Sequence, residues 1–360
     1  MTLSIPYRYQ FQPLPSEPPP PYTPSYTPSY TPRPPHSKHQ HTLPTSKLQF
    51  LSFDNKRNNP HHPQNSAISR YGIYLTTLHH SVNSSTHLYR LRPRAPANSK
   101  PRIYAVKVIP SSSQLTSHFL FPESNTINSP HPNILLPFLP PIIDDAGNHH
   151  LITPYCTGGT LRDLIQSTSK LLPEEADCFF KQLLRGVAYL HHHYDHSLEP
   201  TTGTGLDLKL EDIYLAGEGT IQIKVRLSPS STTQPHATKG PYYAPEVYRP
   251  PLPRDKTINA LNPRAIDAWA LGVIYLFMRT GGAPWVVAKV EEDLLYAKYV
   301  KERVQEGGFL LVEGLGEEPC RNVIYALLDP LPSRRLRISQ ALRSEWMYGV
   351  PVCEAGECGR

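Results

Sequence analysis

The sequence predicts an α+β chain: a small sheet-rich lobe, a larger helical lobe and a proline-rich tail ahead of both. Three observations carry that expectation. Residues 1–66 are dominated by proline and polar side chains, short apolar runs begin near Ala67, and longer runs with helical periodicity follow from Ala176. Strands first and helices afterwards is the order of an α+β architecture. The 360 residues suffice for two lobes and a tail.

The tail spans 1–66. Pro18 to Pro21 are consecutive, and Tyr22-Thr23-Pro24-Ser25 opens a repeat that continues through Tyr26-Thr27-Pro28-Ser29 and Tyr30-Thr31-Pro32. Such a segment has little to bury and a backbone biased to polyproline II, so it is predicted to be disordered. Two readings of it stand side by side. Its Thr-Pro sites suit proline-directed phosphorylation and its proline runs suit aromatic grooves of the SH3 or WW type. Alternatively it is a solvated tail with no dedicated partner.

The sheet-rich lobe is placed at 67–155. Tyr71 to Leu78, Thr86 to Leu91 and Arg102 to Ile109 read as short strands, with Pro93 to Pro101 as a turn-rich connector. The helical lobe is placed at 156–348, where Ala176 to His192 and Ile266 to Arg279 have helical periodicity. Residues 349–360 are left as a short C-terminal tail.

Bulk composition narrows the function classes. The chain has 39% hydrophobic residues, enough for a core, but 41 prolines, about twice ordinary usage, which reinforces the tail assignment. Its net charge of +6 comes without a dense Lys/Arg run, so neither a nucleic-acid nor a membrane-surface patch is expected. The longest apolar stretch, Ala268 to Met278, is short and interrupted by Gly272, so no membrane span is expected. The five cysteines are scattered and form no C-x-x-C pair. With no signal-peptide-like apolar region, they point to an intracellular compartment, cytoplasmic or nuclear. Cys353 and Cys358 flank an acidic stretch, but two ligands do not make a metal site. The histidines His191 to His193 and His196 could bind a metal, but no carboxylate-ordered ligand spacing accompanies them, and they read rather as part of a flexible polar insertion spanning His192 to Thr204.

Several motifs fall in one order along the chain. Tyr104-Ala105-Val106-Lys107-Val108-Ile109 is a strand carrying a single lysine. Leu151-Ile152-Thr153-Pro154-Tyr155-Cys156-Thr157-Gly158-Gly159 leads into a helix. Gly205-Leu206-Asp207-Leu208-Lys209-Leu210-Glu211-Asp212 is a charged loop. Tyr243-Ala244-Pro245-Glu246 precedes Asp267-Ala268-Trp269-Ala270-Leu271-Gly272, and Leu328-Asp329 lies upstream of Arg335. These resemble, in turn, the Val-Ala-Ile-Lys strand, hinge, catalytic loop, Ala-Pro-Glu segment, central C-lobe helix and late C-lobe arginine motif of protein kinases. The resemblance covers about Arg70 to Met347. The Tyr71-Gly72 opening, the hinge and Pro241-Tyr242-Tyr243-Ala244-Pro245-Glu246 are similar to fungal halotolerance-type Ser/Thr kinases.

The resemblance implies a two-lobed protein-kinase-like fold and a set of roles. Lys107 would hold the ATP phosphates, with Glu123 the candidate partner carboxylate. Thr153 would be the gatekeeper, and the Pro154 carbonyl and Cys156 amide would face the adenine. Asp207 would accept the substrate hydroxyl and Lys209 would neutralise the γ-phosphate. Asp267 would brace the catalytic-loop backbone, and Glu246 would pair with Arg335.

The family pattern also fails at named positions. His79, Ser81 and Ser84 stand where three glycines let the backbone approach the phosphates, so a stiffened loop that crowds the nucleotide is expected. Gly205-Leu206 replaces His-Arg, Asp212 replaces a metal-binding Asn, and Lys239 replaces a substrate-positioning Thr. Val225-Arg226-Leu227 replaces Asp-Phe-Gly, removing the main magnesium ligand and leaving Asp212 as the metal candidate. Magnesium relies on one or two carboxylates plus phosphate oxygens. The expectation is a pseudokinase acting as a binding or regulatory scaffold, with ATP binding possible and magnesium binding impaired. The alternative is an active or weakly active Ser/Thr kinase with an atypical metal site.

Overall fold

The structure is a computed structural model that describes residues 71–81, 84–90, 103–111, 131–137, 141–193, 205–216, 221–224, 240–248 and 261–358. All of them belong to the second of two units, Lys38–Arg360. The proline-rich tail, Glu123, Val225-Arg226-Leu227, Lys239 and most of the histidine-rich insertion lie outside the described residues.

The first lobe is a five-stranded antiparallel sheet. Its strands are β1 (Ile73–Ser81), β2 (Ser84–Arg90), β3 (Ile103–Ile109), β5 (Ile142–Ile143) and β6 (His149–Pro154), ordered β1-β2-β3-β6-β5. Strand β3 shows the period-2 rule, with Tyr104 and Val106 buried on one face and Ala105 and Lys107 half-buried on the other. The buried face is aromatic: Tyr89 packs with its ring centroid 5.7 Å from Tyr71, 5.8 Å from Tyr74 and 6.1 Å from Tyr104. Burial pushes the Tyr89 and Tyr104 phenols up, keeping them neutral inside the sheet. His87 is buried among them and bonds Thr77 Oγ1 and Ser85 Oγ, each at 2.9 Å.

The first strand runs further than its sequence suggests. It was expected to end at Leu78, yet the ladder continues until Ser81 pairs with Ser84. Two residues separate that closing pair, the spacing of a tight hairpin. Register shifts fall between Tyr74 and Thr76 and between Thr77 and His79, the mark of bulges that bend a strand without ending it.

A second sheet sits where the lobes meet. It comprises β4 (Ile134–Leu135), β8 (Ile221–Lys224) and β7 (Ile213–Leu215), with β4 parallel and β7 antiparallel to β8. The buried Gln182 binds this sheet to a helix. Its Oε1 accepts from Asn133 Nδ2 and from the Ile221 amide, each at 3.0 Å, and Asn133 also donates to the Ile221 carbonyl at 3.0 Å.

The helical lobe is built around α2 (Pro173–His193) and α3 (Pro263–Thr280), following α1 (Leu161–Thr168). Asn262 caps α3 by accepting the Ala265 amide, Pro263 occupies its first turn, and Gly281 ends it at φ 80°. Nearly the whole helix is buried, so it reads apolar on all sides. Gly272 lets it approach its neighbours closely: a Cβ there would lie 2.8 Å from Leu328. The remaining helices are α4 (Leu294–Glu302), α5 (Leu310–Glu313), α6 (Glu318–Leu327), α7 (Ile338–Ala341), α8 (Glu345–Gly349) and α9 (Glu354–Cys358). No described helix is long and apolar enough to cross a membrane.

Residues beyond α8 fold back onto α2. Lys181 Nζ donates to the Val350 carbonyl at 2.6 Å and Arg185 pairs with Glu357 at 3.0 Å. Cys353 is buried against Cys178, whose Sγ accepts the Cys353 amide at 3.3 Å. The Cys353 thiol and burial together push the Cys178 thiol well above the ordinary range, so the pair is a packing contact of neutral thiols.

Arg335 is the main polar anchor of the lobe. Its guanidinium makes a bidentate pair with Glu246 at 2.7 and 3.0 Å and donates to the Ala265 carbonyl at 2.7 Å. Its Nε and Nη2 reach the Asp329 carbonyl at 3.0 and 2.9 Å, and it lies 5.1 Å from the Trp269 ring centroid. Breaking such a buried pair from one side strands a charge, which costs about 3–5 kcal/mol. Arg335→Leu is therefore expected to lower unfolding free energy by about that amount in urea denaturation. A loss under about 1 kcal/mol, the range of an exposed pair, would contradict it.

Candidate functional site

The upper wall of the site comes from β3 and β6. Cross-strand pairing sets Ala105 opposite Thr153 and Lys107 opposite Leu151. Directly paired residues share a face, so Ala105, Lys107 and Thr153 lie together on the side away from the tyrosine core. Pro154 ends β6 paired with Tyr104, and Cys156 follows, buried. Burial pushes the Cys156 thiol up to about 12, so it is a neutral wall residue and not a nucleophile. The phosphate-loop positions are laid out in the β1–β2 ladder: His79 pairs with Thr86 and is exposed, and Ser81 pairs with Ser84.

The chain crosses to the lower wall through Gly158 and Gly159. The Gly158 amide donates to the Leu215 carbonyl at 3.0 Å, and the Leu215 amide donates to the Gly159 carbonyl at 2.9 Å. A Cβ on Gly158 would sit 2.7 Å from Leu215 backbone and side-chain atoms, and Gly159 has φ 75°. Only glycine suits this approach. Thr160 then caps α1 in a reciprocal box with Asp163. The segment after the hinge is thus pinned to β7, whose first residue follows Asp212 directly.

Gly205 to Asp212 form the lower wall. Asp207 holds φ 50°, a left-handed conformation that costs energy in a non-glycine residue. Its Oδ1 pairs with Lys209 Nζ at 3.1 Å, and that ammonium lies 5.2 Å from the Tyr243 ring centroid. The cation links the loop to Tyr243-Ala244-Pro245-Glu246. Asp212 closes a short 3-10 turn, Leu210–Asp212, and is half-buried.

Behind the loop stands Asp267 of α3, which is 2% exposed. Its Oδ1 accepts the Leu206 amide at 2.7 Å, and its Oδ2 contacts His191 Nε2 at 2.8 Å. Gly205 has φ 67°, and a Cβ there would run into Asp267 Oδ1 and come within 2.9 Å of the Pro263 carbonyl. The His-Arg pair of the family pattern could not occupy this backbone path unchanged.

The described sequence-derived candidates lie on two segments: Lys107, Thr153, Pro154 and Cys156 on β3, β6 and the hinge, and Asp207, Lys209 and Asp212 in the loop before β7. The shared face of β3 and β6, which carries Lys107 and Thr153 beside the hinge, is the surface that would meet a nucleotide. The fit to magnesium is poorer. No group of three or more His, Cys, Asp or Glu among the described residues is placed to hold a metal ion, and Val225 lies outside those residues. Sequence reasoning missed the Lys209–Tyr243 contact and the His191–Asp267 pair. Neither has a local signature, since each joins segments distant in the chain.

Comparison with known proteins agrees with this geometry. The protein kinase domain profile matches residues 94–347. Among solved structures, the crystal structure of Rad53 1-466 in complex with AMP-PNP superposes with a TM-score of 0.53 at 17% identity. It covers 78% of this chain and 66% of that one, a likeness of fold. The chain belongs to the protein kinase family. It is 38% identical over 286 residues to serine/threonine-protein kinase hal4 of Schizosaccharomyces pombe, covering 73% of this chain and 41% of the relative. It is 34% identical over 276 residues to serine/threonine-protein kinase HAL4/SAT4 of Saccharomyces cerevisiae, covering 72% and 42%. These bear out the resemblance to fungal halotolerance-type kinases, and the chain spans about two-fifths of the length of each.

The Gly205 geometry yields a direct test. Gly205→Ala must strain a positive φ and displace Asp267, so a loss of about 1–3 kcal/mol is expected in thermal or urea unfolding. Gly282→Ala, where nothing lies within 4 Å of the added Cβ, serves as the control. Equal effects at the two positions would contradict the account of the loop.

Proposed function

We propose that this protein kinase domain acts chiefly as a binding and regulatory module, with phosphotransfer impaired. The observation that carries the reading is Val225-Arg226-Leu227, where the family has the aspartate that anchors magnesium. The departures at His79, Ser81, Ser84 and Asp212 act in the same direction. Phosphoryl transfer rests on positioning and charge neutralisation, so losing the metal's main carboxylate removes what matters most.

On this reading the nucleotide side of the cleft can still be occupied. Lys107 holds phosphate oxygens, Glu123 orients Lys107, and the Pro154 carbonyl and Cys156 amide meet the purine. Magnesium, when bound, neutralises phosphate charge, and Asp212 is the residue left to hold it. Asp207 accepts a proton from a substrate hydroxyl, and Lys209 places positive charge beside it. The domain works through protein partners in an intracellular compartment, with Thr-Pro sites and SH3- or WW-type docking in the tail as its regulatory inputs.

A second reading, a weakly active Ser/Thr kinase, draws support from the Asp207–Lys209 pair at 3.1 Å and from relatives named as Ser/Thr kinases. Transfer of the ATP γ-phosphate to itself and to a generic serine-containing protein separates the two. The pseudokinase reading expects incorporation no higher than in Asp207→Asn. Incorporation at least about tenfold above that variant would overturn it, since tenfold corresponds to about 1.4 kcal/mol of transition-state stabilisation.

A further inference from the structure

Cys178 of α2 and Cys353, the residue just ahead of α9, meet although 175 positions separate them. Both are buried, and neither is in a disulfide. The Cys353 amide donates to Cys178 Sγ at 3.3 Å, and the two thiols are hydrogen-bonded to each other. Gln182 Nε2 lies 3.6 Å from one sulfur and 3.7 Å from the other, and the Gly356 amide donates to Cys353 Sγ at 3.3 Å. One side-chain amide thus spans the pair, and each sulfur also has a backbone N–H aimed at it. Such donors favour the thiolate, the reactive form of cysteine. Packing alone asks for small apolar side chains at these positions and not for two sulfurs in contact.

Cys353 reaches the pair on a short segment. Residues 350–358 carry α9, which is five residues long and has too few turns to persist away from α2. One of the segment's ties to α2, Arg185 to Glu357, is a partly exposed ion pair, a weak kind of attachment. In the closed form the thiols are neutral and shielded. Local opening of such a segment brings Cys353 to solvent, and reclosing returns it to Cys178.

We infer that Cys178 and Cys353 form an oxidative modification site, at which a peroxide converts the two thiols reversibly into a disulfide that staples residues 350–358 to α2. With the segment open, the Cys353 thiolate attacks the peroxide O–O bond, gives up an electron pair and becomes a sulfenic acid, and water leaves. On reclosing, the Cys178 sulfur attacks that sulfenic sulfur, its proton goes to the departing hydroxyl, and a second water completes the disulfide. A thiol such as glutathione reverses the bond by exchange through a mixed disulfide. Gln182 Oε1 holds Asn133 Nδ2 and the Ile221 amide, so the staple forms beside the residue that ties α2 to the second sheet. The inference goes beyond the proposed function, because it holds whether or not the cleft turns over.

The test treats the reduced full chain with hydrogen peroxide under native conditions, alkylates the remaining thiols in denaturant and maps linked peptides by mass spectrometry without reduction. The expected product is a Cys178–Cys353 linkage that is retained in Cys358→Ser and reversed by dithiothreitol. Its Tm should exceed that of the reduced chain by about 5 °C or more, since a cross-link closing so long a loop constrains the unfolded state. The rise should vanish in Cys178→Ser and in Cys353→Ser. Should either variant fail to fold, the oxidised and reduced forms of the unaltered chain still decide. Full alkylation of both thiols after peroxide, a linkage made through another cysteine, or oxidation that stops at sulfinic acid would overturn the inference. So would a linked pair whose Tm is unchanged or lowered.

Discussion

The helical lobe depends on one buried carboxylate. Asp267 is almost fully withdrawn from solvent, and an ion in that environment is tolerated only when both its oxygens are satisfied. The Leu206 amide meets one and His191 the other, at 2.7 and 2.8 Å. Those two bonds tie the end of α2, the start of α3 and the loop bearing Asp207 into a single block. Gly205 lacks a Cβ where Asp267 needs the space, and Asp207 sits at a positive φ that the block holds in place. Arg335 and Glu246 do the same for the next layer, joining the Ala-Pro-Glu segment to Asp329 and α3.

That arrangement separates architecture from chemistry. The groups that brace the lobe are Asp267, Glu246, Arg335 and the glycines at 158 and 159, and all sit in satisfied, closely packed geometry. The described positions where the chain departs from the family's sequence pattern, His79, Ser81, Ser84, Gly205, Leu206 and Asp212, lie in the β1–β2 ladder and in the loop before β7. A fold held by buried pairs and a central apolar helix can persist after its phosphate and metal ligands change, because those ligands contribute little to the core.

Much of this could be read from the chain itself, and the reasons are local. Strand β3 announces itself by alternation about Val106, α3 by an apolar run between Asn262-Pro263 and Gly281, and the hinge crossing by Gly158-Gly159 before a Thr-x-x-Asp cap. What could not be read depends on distant partners. Gln182 looks like an ordinary helix residue, yet it joins Asn133 and Ile221. Residues 349–360 looked like a loose end, but Cys353 meets Cys178 from far along the chain. The strand expected to stop at Leu78 runs on to Ser81 because bulges absorb the irregular pattern of Tyr74 to His79, and a bulge has no reliable mark in a single sequence.

The central claim is that the nucleotide wall outlasts the metal site. Equilibrium titration of the full chain with ATP, with and without magnesium, tests it most directly. The account predicts that magnesium changes the affinity by less than about threefold, which is under 1 kcal/mol. A strong magnesium requirement, with affinity rising by a factor of about a hundred or more and falling back in Asp212→Ala, would contradict it and show that a working metal centre has been rebuilt around Asp212.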